Sequence, residues 1–267
     1  MIENPTFTII TPSFNSEKTI LKTVNSVILE NQFLIEYLII DNCSTDSTKK
    51  ILEEFKEICF ISEKDKGIFD GMNKGVKMAR ASIIGIINSD DWYLEGSLKA
   101  VRDVFQDSAA DIVIGGVDIF DGNNFIQSRT HTVDEIKDHM VSHPAIFVRK
   151  HVYDILGEYD LKYKVASDYD FILRALTKGF KFVSIPRSVS AYSLGGYSDS
   201  PRMRITSIFE TESIRAKYGI ISNRRALLNS LNTSLKTIAR RNHKLEMCKE
   251  FYCQVTSYFK AFFKMGI

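Results

Sequence analysis

The sequence has few cysteines and no apolar run long enough to cross a membrane. Its 267 residues include four cysteines without any CxxC spacing, so neither a disulfide framework nor a zinc site is expected. The apolar runs fall well short of the roughly 20 residues that a membrane helix requires. The N-terminus lacks the charged and then apolar segments of a signal peptide. We therefore expect a cytoplasmic protein, in the cytosol or peripheral on the cytoplasmic face of the inner membrane.

Charge is unevenly distributed along the chain, although the net charge is only +2. Residues 201–267 contain 13 Lys and Arg against 4 Asp and Glu, whereas residues 1–200 contain 22 against 29. An acidic body followed by a basic tail indicates that the two parts contact different partners. The composition, 44% hydrophobic and 25% charged, is typical of a globular protein.

Short β-branched runs alternate with segments of helical spacing through the first two-thirds of the chain. The runs are largely continuous, as in strands that are covered on both faces, and they lie at 7–10, 37–40, 58–61, 83–87, 112–117, 145–148 and 180–185. This alternation predicts an α/β fold, with a mainly parallel sheet and helices on both faces. Beyond residue 200 the strand-like runs stop, and 201–218 and 222–263 are predicted to be helical. One face of the last segment is predicted to carry Cys248, Phe251, Tyr252, Val255, Phe259 and Phe262.

Polar residues follow the predicted strands at the end where a parallel sheet binds ligands. They occupy the stretches 11–15, 41–46, 62–67 and 88–91. Asp41 directly follows a strand, so we interpret its carboxylate as a ligand contact. Asp46 precedes a helical segment, so we interpret it as an N-cap.

Two adjacent carboxylates, Asp90 and Asp91, follow the apolar run that ends at Ile87. One carboxylate would suffice to cap the helix that begins near Leu94. Two carboxylates fit a hard divalent cation, Mg²⁺ or Mn²⁺, whose remaining ligands are substrate phosphates.

Three other stretches have both a structural and a functional interpretation. Asp168, two residues before Asp170, either complements a helix N-terminus or acts as a general base. His139 and His143 lack the glutamate of HExxH, so zinc is not expected, and His143 is a candidate hydrogen-bonding residue of the site. The glycines at 195–196 form either a simple turn or a mobile loop that closes over a phosphate.

Together these stretches resemble the family 2 glycosyltransferases, and more narrowly the bacterial members that build O-antigen, capsule or colanic-acid repeat units. The resemblance covers roughly residues 6–200, in family order and spacing, through TIITPSFN at 8–15, IIDNCSTDST at 39–48, SEKDKGIFDGMNKGVKMARASIIGIINSDDWY at 62–93, SHPAIFVRK at 142–150, YKVASDYDF at 163–171 and LGGYS at 194–198. It implies a GT-A catalytic domain over residues 1–200. The nucleotide-sugar-binding part would occupy about 1–110 and the acceptor-binding part about 111–200, followed by a basic amphipathic helical extension over 201–267.

The resemblance also implies the chemistry and the residues that perform it. The reaction would be an inverting transfer from a nucleotide sugar, a UDP-sugar by family habit, to a hydroxyl of a lipid-diphosphate-linked saccharide, with Mn²⁺ or Mg²⁺. Asp168 matches the catalytic base, and Asp91 with Asp90 matches the metal motif, here written S-D-D. The implied nucleotide-sugar contacts are Thr11, Pro12, Ser13, Asn15, Asp41, Lys66, Gly67, Asp70, Asn73, Asn88, Ser89 and Asp90. The implied acceptor or phosphate contacts are His143, Asp170, Gly196, Tyr197 and Ser198; Pro144 departs from the His-Gln pair of many members.

The sequence leaves open the role of the basic tail and bears on two other functions for the whole chain. The tail either lies on an anionic membrane or packs against the catalytic domain or a second subunit. A nucleotidyltransferase should have a Gly-rich basic loop after the first strand, which 11–15 lacks. A non-catalytic nucleotide-sugar-binding module would not need Asp168 beside a metal pair. No nucleic-acid-binding module is recognisable, so a nucleic-acid partner is not expected.

Overall fold

The computed structural model describes residues 5–30, 32–221, 223–239 and 244–264. Within them the strands are β1 (Phe7–Ser13), β2 (Ile35–Asp41), β3 (Ile58–Ser62), β4 (Ile83–Ile86), β5 (Trp92–Tyr93), β6 (Ile112–Asp121), β7 (Asn124–Arg129), β8 (Ile146–Arg149) and β9 (Phe182–Ser193). The α-helices are α1 (Ile20–Ile28), α2 (Thr48–Leu52), α3 (Ile68–Met78), α4 (Ser97–Asp107), α5 (Lys150–Leu156), α6 (Ser167–Lys178), α7 (Pro201–Lys217), α8 (Asn223–Ala239) and α9 (Lys244–Lys264). Short 3₁₀ turns occur at Asp134–Lys137, His143–Ala145 and Tyr197–Asp199.

The chain divides into two compact units. The first comprises Met1–Leu161 and Phe171–Leu194, and the second comprises Lys162–Asp170 and Gly195–Ile267. The second unit therefore contains the basic extension together with a short internal segment that includes the start of α6. The division of function between a catalytic domain over 1–200 and an extension stays a prediction.

All the strands belong to one sheet of the first unit, in the order β3-β2-β1-β4-β8-β6-β9-β5, with β7 paired to β6. The pairings among β1 to β4 are parallel, as the sequence predicts. β8 is antiparallel to both of its neighbours, and β5 and β7 also pair antiparallel. The sheet is therefore mixed, because its second half adds these antiparallel strands to the parallel pair of β6 and β9.

The two strands that the sequence did not predict carry no buried apolar run. β7 is exposed along its whole length, and β5 is two residues long. The predicted strands lie in the core instead, where every residue of β1 is buried. Helix α3 packs closely on β1, since a Cβ at Gly75 would lie 2.5 Å from the Ile10 side chain. Only glycine fits at this contact without displacing β1.

The second unit has a separate small core. Ile205 and Phe209 of α7 meet Met247 of α9, and further apolar side chains pack around them, among them Leu231, Ile238, Phe251 and Val255. The predicted apolar face of α9 is therefore wrong in part, because Cys248 and Tyr252 are exposed. The apolar stripe that packs into this core contains Met247, one position before Cys248, together with Phe251 and Val255. The side chains of Phe259 and Phe262 lie outside the described residues. Among the described helices, none combines the length and apolarity needed to span a bilayer.

Candidate active site

The carboxyl ends of β1, β2 and β4 lie at one edge of the sheet. Ser13, the last residue of β1, is opposite Asp41 in the register with β2. The amide of Ile87, just after β4, donates to the carbonyl of Ile10. Thr11, Pro12 and Ser13 are all buried there. Among the described residues, the buried Ser13 hydroxyl finds no hydrogen-bond partner, so it is a polar atom that a ligand could satisfy.

Side-chain hydrogen bonds join the loops that follow these strands. Ser16 Oγ lies 2.7 Å from Ser89 Oγ, which links the loop after β1 to the loop after β4. Asn15 has a positive φ of 49°, and its Oδ1 accepts from the Thr45 amide at 2.8 Å. The Asn15 amide donates to Ser44 Oγ, also at 2.8 Å. Asn15 and Ser89 are both predicted to contact the nucleotide sugar, and their hydrogen bonds shape the loops at this edge.

The carboxylates of Asp41 and Asp46 both hold backbone in place. Asp41 is fully buried, and it accepts from the amide and the hydroxyl of Ser44 and from Ser62 Oγ at 2.7 Å. Asp46 Oδ1 accepts from the amide of Thr48, the first residue of α2. The N-cap position of α2 is Ser47, so the predicted cap, Asp46, lies one position too early, although its carboxylate does accept from the first amide of the helix. The ligand contact predicted for Asp41 stays a prediction, beside a structural role that the sequence did not predict.

The stretch between β3 and α3 is a turn closed by its own aspartates. The Asp65 amide donates to Asn42 Oδ1 at 2.9 Å, and Asp65 Oδ1 accepts from the amide of Gly67 at 2.8 Å. Asp70 Oδ2 accepts from the amide of Lys66. Gly67 has φ 125°, a conformation that disfavours other residues. Lys66 and Gly67, which are predicted to contact the nucleotide sugar, are exposed on this turn.

Asp65 is a further acidic group at this edge that the sequence-based assignment omits. Burial raises the pKa of its carboxyl, and the carboxylates of Asp70 and Asp41 add to that rise. A Cβ at Gly71, one turn into α3, would lie 3.2 Å from Asp65 Oδ2. The available signal was its position in the polar stretch 62–67, two residues before the glycine that the turn requires.

The neighbouring aspartates after β4 have different surroundings. Asp91 is 1% exposed; its Oδ1 accepts from the Ser193 amide at 2.9 Å and its Oδ2 from Asn88 Nδ2 at 3.0 Å. Its backbone carbonyl accepts from Thr23 Oγ1 at 2.7 Å. Asp90 is partly exposed. Asp91 is therefore buried and held by hydrogen bonds within the first unit, whereas Asp90 is partly exposed to solvent.

The turn of Asn88 to Asp91 offers the oxygen atoms that a hard cation prefers. Besides the two carboxylates, the buried Asn88 Oδ1 finds no hydrogen-bond partner among the described residues. No group of three or more His, Cys, Asp and Glu in the described chain could hold a metal ion by itself. A Mg²⁺ site of one or two carboxylates completed by substrate phosphates does not require such a group, so the residues present fit a divalent cation.

Asn73 and His143 lie in a buried polar network of the first unit. Asn73 is 2% exposed, and its side-chain amide exchanges two hydrogen bonds with the backbone of Tyr159. The Tyr159 hydroxyl contacts Tyr153 OH at 2.9 Å and His143 Nε2 at 3.5 Å. Burial lowers the pKa of His143 to about 4, so its imidazole is neutral at pH 7. Asn73 therefore anchors α3 internally, while His143 Nδ1, buried and unpartnered among the described residues, could accept or donate to a ligand.

Asp168 lies in the second unit, as the second residue of α6. It is 7% exposed, and its Oδ1 accepts from the Tyr169 amide at 2.8 Å. Burial raises the pKa of Asp168 to about 7, and the negative charge of Glu210 adds to that rise. A carboxyl with this pKa exchanges a proton readily near neutral pH, as a general base must.

Other predicted acceptor contacts also belong to the second unit. The buried Asp170 carboxylate binds Lys217 Nζ at 2.6 Å and Tyr218 OH at 3.1 Å. Gly196, Tyr197 and Ser198 lie at the 3₁₀ turn Tyr197–Asp199, where Tyr197 is 62% exposed. The structure thus brings the predicted donor and metal residues together at one edge of the first unit. Asp168, Asp170 and the turn of Gly196 to Ser198 are held in the second.

Comparisons with known proteins agree with this geometry. The sequence model described as "Glycosyl transferase family 2" matches residues 8–169. A PGL/p-HBAD biosynthesis glycosyltransferase of Mycobacterium tuberculosis is 28% identical over 181 residues, which cover 65% of this chain and 70% of that protein. Chondroitin synthase of Escherichia coli is 26% identical over 191 residues, 67% of this chain and 28% of the relative.

Two solved structures show the same fold. TarS 1–349 of S. aureus in complex with UDP-GlcNAc has a TM-score of 0.68 and 20% identity, covering 96% of this chain and 81% of that one. The mannosyltransferase PcManGT of Pyrobaculum calidifontis, in complex with GDP-Man and Mn²⁺, has a TM-score of 0.63 and 15% identity, covering 98% and 81%. The architecture is therefore GT-A, and the chain belongs to glycosyltransferase family 2, whose members transfer a sugar from a nucleotide sugar.

Proposed function

We propose that this glycosyltransferase is an inverting, metal-dependent enzyme of bacterial surface-polysaccharide synthesis, such as that of O-antigen or capsule. It takes its sugar from a UDP-sugar and transfers it to a hydroxyl of a lipid-diphosphate-linked saccharide. The observation that carries the proposal is the contrast between Asp90 and Asp91. Asp91 is 1% exposed and holds the turn through Ser193 and Asn88, whereas Asp90 is partly exposed.

This contrast assigns different roles to the two aspartates. The Asp91 carboxylate already accepts from Ser193 and Asn88, which fixes the turn. We therefore assign the cation first to Asp90, the more exposed of the two, with Asp91 beside it, which reverses the order that the sequence motif implies. A bound Mn²⁺ or Mg²⁺ would offset the negative charge that develops on the leaving nucleoside diphosphate. Adjacent like charges are tolerable here because one is satisfied by N–H donors and the other faces a cation.

The donor is placed by atoms that the protein leaves unsatisfied at the strand ends. Ser13 Oγ and Asn88 Oδ1 are both buried without partners among the described residues; we assign Ser13 Oγ to the nucleoside and Asn88 Oδ1, in the turn with Asp90 and Asp91, to the side of the site that would hold the cation. The exposed Lys66, next to Gly67 at the start of α3, supplies a cation and a helix N-terminus for the diphosphate. The remaining predicted contacts, Thr11, Pro12, Asn15, Asp41, Asp70, Asn73 and Ser89, shape the loops around these atoms.

Asp168 is proposed as the base. Its carboxylate takes the proton of the acceptor hydroxyl while that oxygen attacks the anomeric carbon from the face opposite the leaving group, which inverts the configuration. A pKa of about 7 leaves a useful fraction ionised at neutral pH and still makes the group basic enough to accept a proton. His143, Asp170, Gly196, Tyr197 and Ser198 are proposed to contribute to the acceptor side.

The nature of the acceptor is supported by the surface of the second unit. Residues 201–267 carry the excess of 13 basic over 4 acidic residues. On α8, Leu228 and Leu235 are 55% and 57% exposed and lie two turns apart, with the exposed Arg225 three residues before Leu228 and the exposed Lys236 directly after Leu235. Apolar side chains flanked by cations suit the surface of an anionic membrane, where a lipid-diphosphate-linked acceptor is located.

The experiment uses the full chain with UDP-, GDP- and dTDP-sugars, with Mn²⁺ or with a chelator, and measures release of nucleoside diphosphate. Release from one UDP-sugar, abolished by the chelator and stimulated by a synthetic lipid-diphosphate saccharide, is expected. NMR of the product should show the anomeric configuration opposite to that of the donor. Release of pyrophosphate would instead indicate a nucleotidyltransferase, and donor binding without any product would indicate a non-catalytic module.

A further inference from the structure

Three successive backbone amides just before α6 are bound by one carboxylate. The amide of Lys164 donates to Glu210 Oε1 at 2.8 Å, and the amides of Val165 and Ala166 donate to Oε2 at 2.9 and 3.0 Å. Glu210 lies in the middle of α7, and all four residues belong to the second unit. Hydrogen bonds from N–H groups to a carboxylate are about twice as strong as those between neutral groups, so this contact fixes the path of the segment.

The fixed segment leads directly into Asp168. Helix α6 begins at Ser167, one residue after the last of the three amides. The Asp168 carboxylate is tethered to its own helix by the Tyr169 amide, so its position follows the position of that first turn. Two residues beyond, Asp170 is held by Lys217 and Tyr218 at the end of α7. Helix α7 therefore grips the chain on both sides of Asp168.

We propose that Glu210 is a positioning residue for the transfer reaction, which holds the Asp168 carboxylate in place through the backbone of residues 164–166. This inference rests on the proposed role of Asp168 as base. It gives the basic extension a part in catalysis that is independent of any membrane contact, because α7 belongs to the extension while Asp168 does not.

Glu210 acts through charge as well as through geometry. Its carboxylate raises the pKa of Asp168 beyond the effect of burial. Of the other charged groups of the second unit near this turn, Asp170 and Lys217 form an ion pair with each other, and Lys162 and Lys164 belong to the segment before α6. Replacing Glu210 with a neutral residue therefore removes a negative charge whose effect on Asp168 no described neighbour duplicates.

The test compares Glu210→Gln with Glu212→Gln, a matched control on the same helix. Glu212 binds Arg215 and Asn229 instead of the segment before α6. For Glu210→Gln we expect kcat to fall between about tenfold and a hundredfold, with the donor Kd unchanged. The acidic limb of its kcat–pH profile should move to lower pH, since loss of the negative charge lowers the pKa of Asp168. Glu212→Gln should keep kcat within about twofold and leave the limb in place.

A third variant, Glu210→Asp, keeps the charge but shortens the reach, and it carries the test if Glu210→Gln does not fold. Its kcat should fall while the acidic limb stays where it is in the native protein. The inference is overturned if Glu210→Asp and Glu210→Gln both retain kcat within twofold, or if Glu212→Gln loses as much. Asp168→Asn, measured in parallel, distinguishes a failure of the proposed base from a failure of the proposed positioning residue. Full turnover by that variant contradicts the base assignment, whereas its inactivity beside active Glu210 variants contradicts only the positioning role.

Discussion

Asp41 and Asp91 of the first unit are buried in a different way from Asp168 of the second. In the first unit, Asp41 accepts hydrogen bonds from Ser44 and Ser62, and Asp91 accepts from Asn88 and Ser193. In the second, Asp168 is enclosed so that burial dominates and its pKa rises to about 7. Donors that converge on a carboxylate stabilise its charge, whereas burial without a cation opposes it. The same residue type is thus a structural anchor at the strand ends, whereas in the helical unit its surroundings favour the proton-accepting role that we propose for Asp168.

Asp168→Asn should have the largest effect, because it tests directly whether the buried carboxyl accepts a proton during turnover. The amide has nearly the same shape but cannot take a proton, so turnover should fall by about two to four orders of magnitude. The donor Kd should stay within a few-fold, because the donor contacts are assigned to the first unit. Steady-state kinetics and calorimetric titration of the donor would measure the two effects, and unchanged turnover would remove Asp168 from the mechanism.

The next largest effect should come from the same substitution at the neighbouring Asp90 and Asp91, which we expect to differ in activity and in stability. Asp90→Asn should lower turnover roughly a hundredfold or more and weaken the Mn²⁺ dependence, since it removes the proposed cation ligand. Its free energy of unfolding should change less than that of Asp91→Asn, because Asp90 is partly exposed whereas Asp91 is buried. Denaturant unfolding and Mn²⁺ titration of activity would measure both.

Asp91→Asn serves as the matched variant, and it should lower stability more than Asp90→Asn does. Its amide nitrogen would face one of two N–H donors, from Ser193 and Asn88. Leaving a buried donor unsatisfied costs about 1–3 kcal/mol of stability. If Asp91→Asn were fully stable and Asp90→Asn unfolded, the assignment of anchor and ligand would have to be reversed.

A third effect concerns the pH dependence of stability and does not require the substrate. The pKa of Asp168 is raised from 3.8 in the unfolded chain to about 7 in the folded one. Its contribution to folding is therefore fully present below pH 4 and is lost as the pH rises to about 7, because the unfolded state ionises first. Asp168→Asn should gain roughly 4 kcal/mol over the native protein between pH 4 and pH 8. Denaturant unfolding at both pH values, with the exposed Asp121→Asn as control, would measure the difference, and a constant difference would contradict the raised pKa.

The strand-end half of the site could be predicted because its signals are local in sequence. Buried strands of β-branched residues are followed at once by the polar groups, so Ser13, Asp41 and Asp91 were identifiable from position alone. What could not be predicted is how each polar group is satisfied. The hydrogen bond from Ser193 to Asp91 joins residues about a hundred positions apart, and it decides which aspartate is the anchor.

The second unit was harder to predict for the same physical reason. Glu210 and Ala166 are separated by 44 residues, and no local pattern marks a glutamate in mid-helix as the acceptor for a distant segment. On α9, Met247 rather than Cys248 is buried, and two polar residues, Glu250 and Gln254, contact Thr206 of α7 beside the apolar stripe. A periodicity argument assumes that buried residues are apolar, and here that assumption fails.

The smallest expected effect tests whether the basic unit contacts lipid at all. The full chain should sediment with vesicles of phosphatidylglycerol and phosphatidylcholine, but not with phosphatidylcholine alone, and salt should weaken the binding. Replacing Leu228 and Leu235 with serine should lower the partition coefficient about tenfold, since each leucine buries only part of its apolar surface. The matched control replaces Leu29 and Ile155, which are exposed apolar residues of the first unit, and should leave partition unchanged. If the Leu228 and Leu235 variant instead changed the oligomeric state in solution without affecting vesicle binding, this face of α8 would contact a second subunit rather than a membrane.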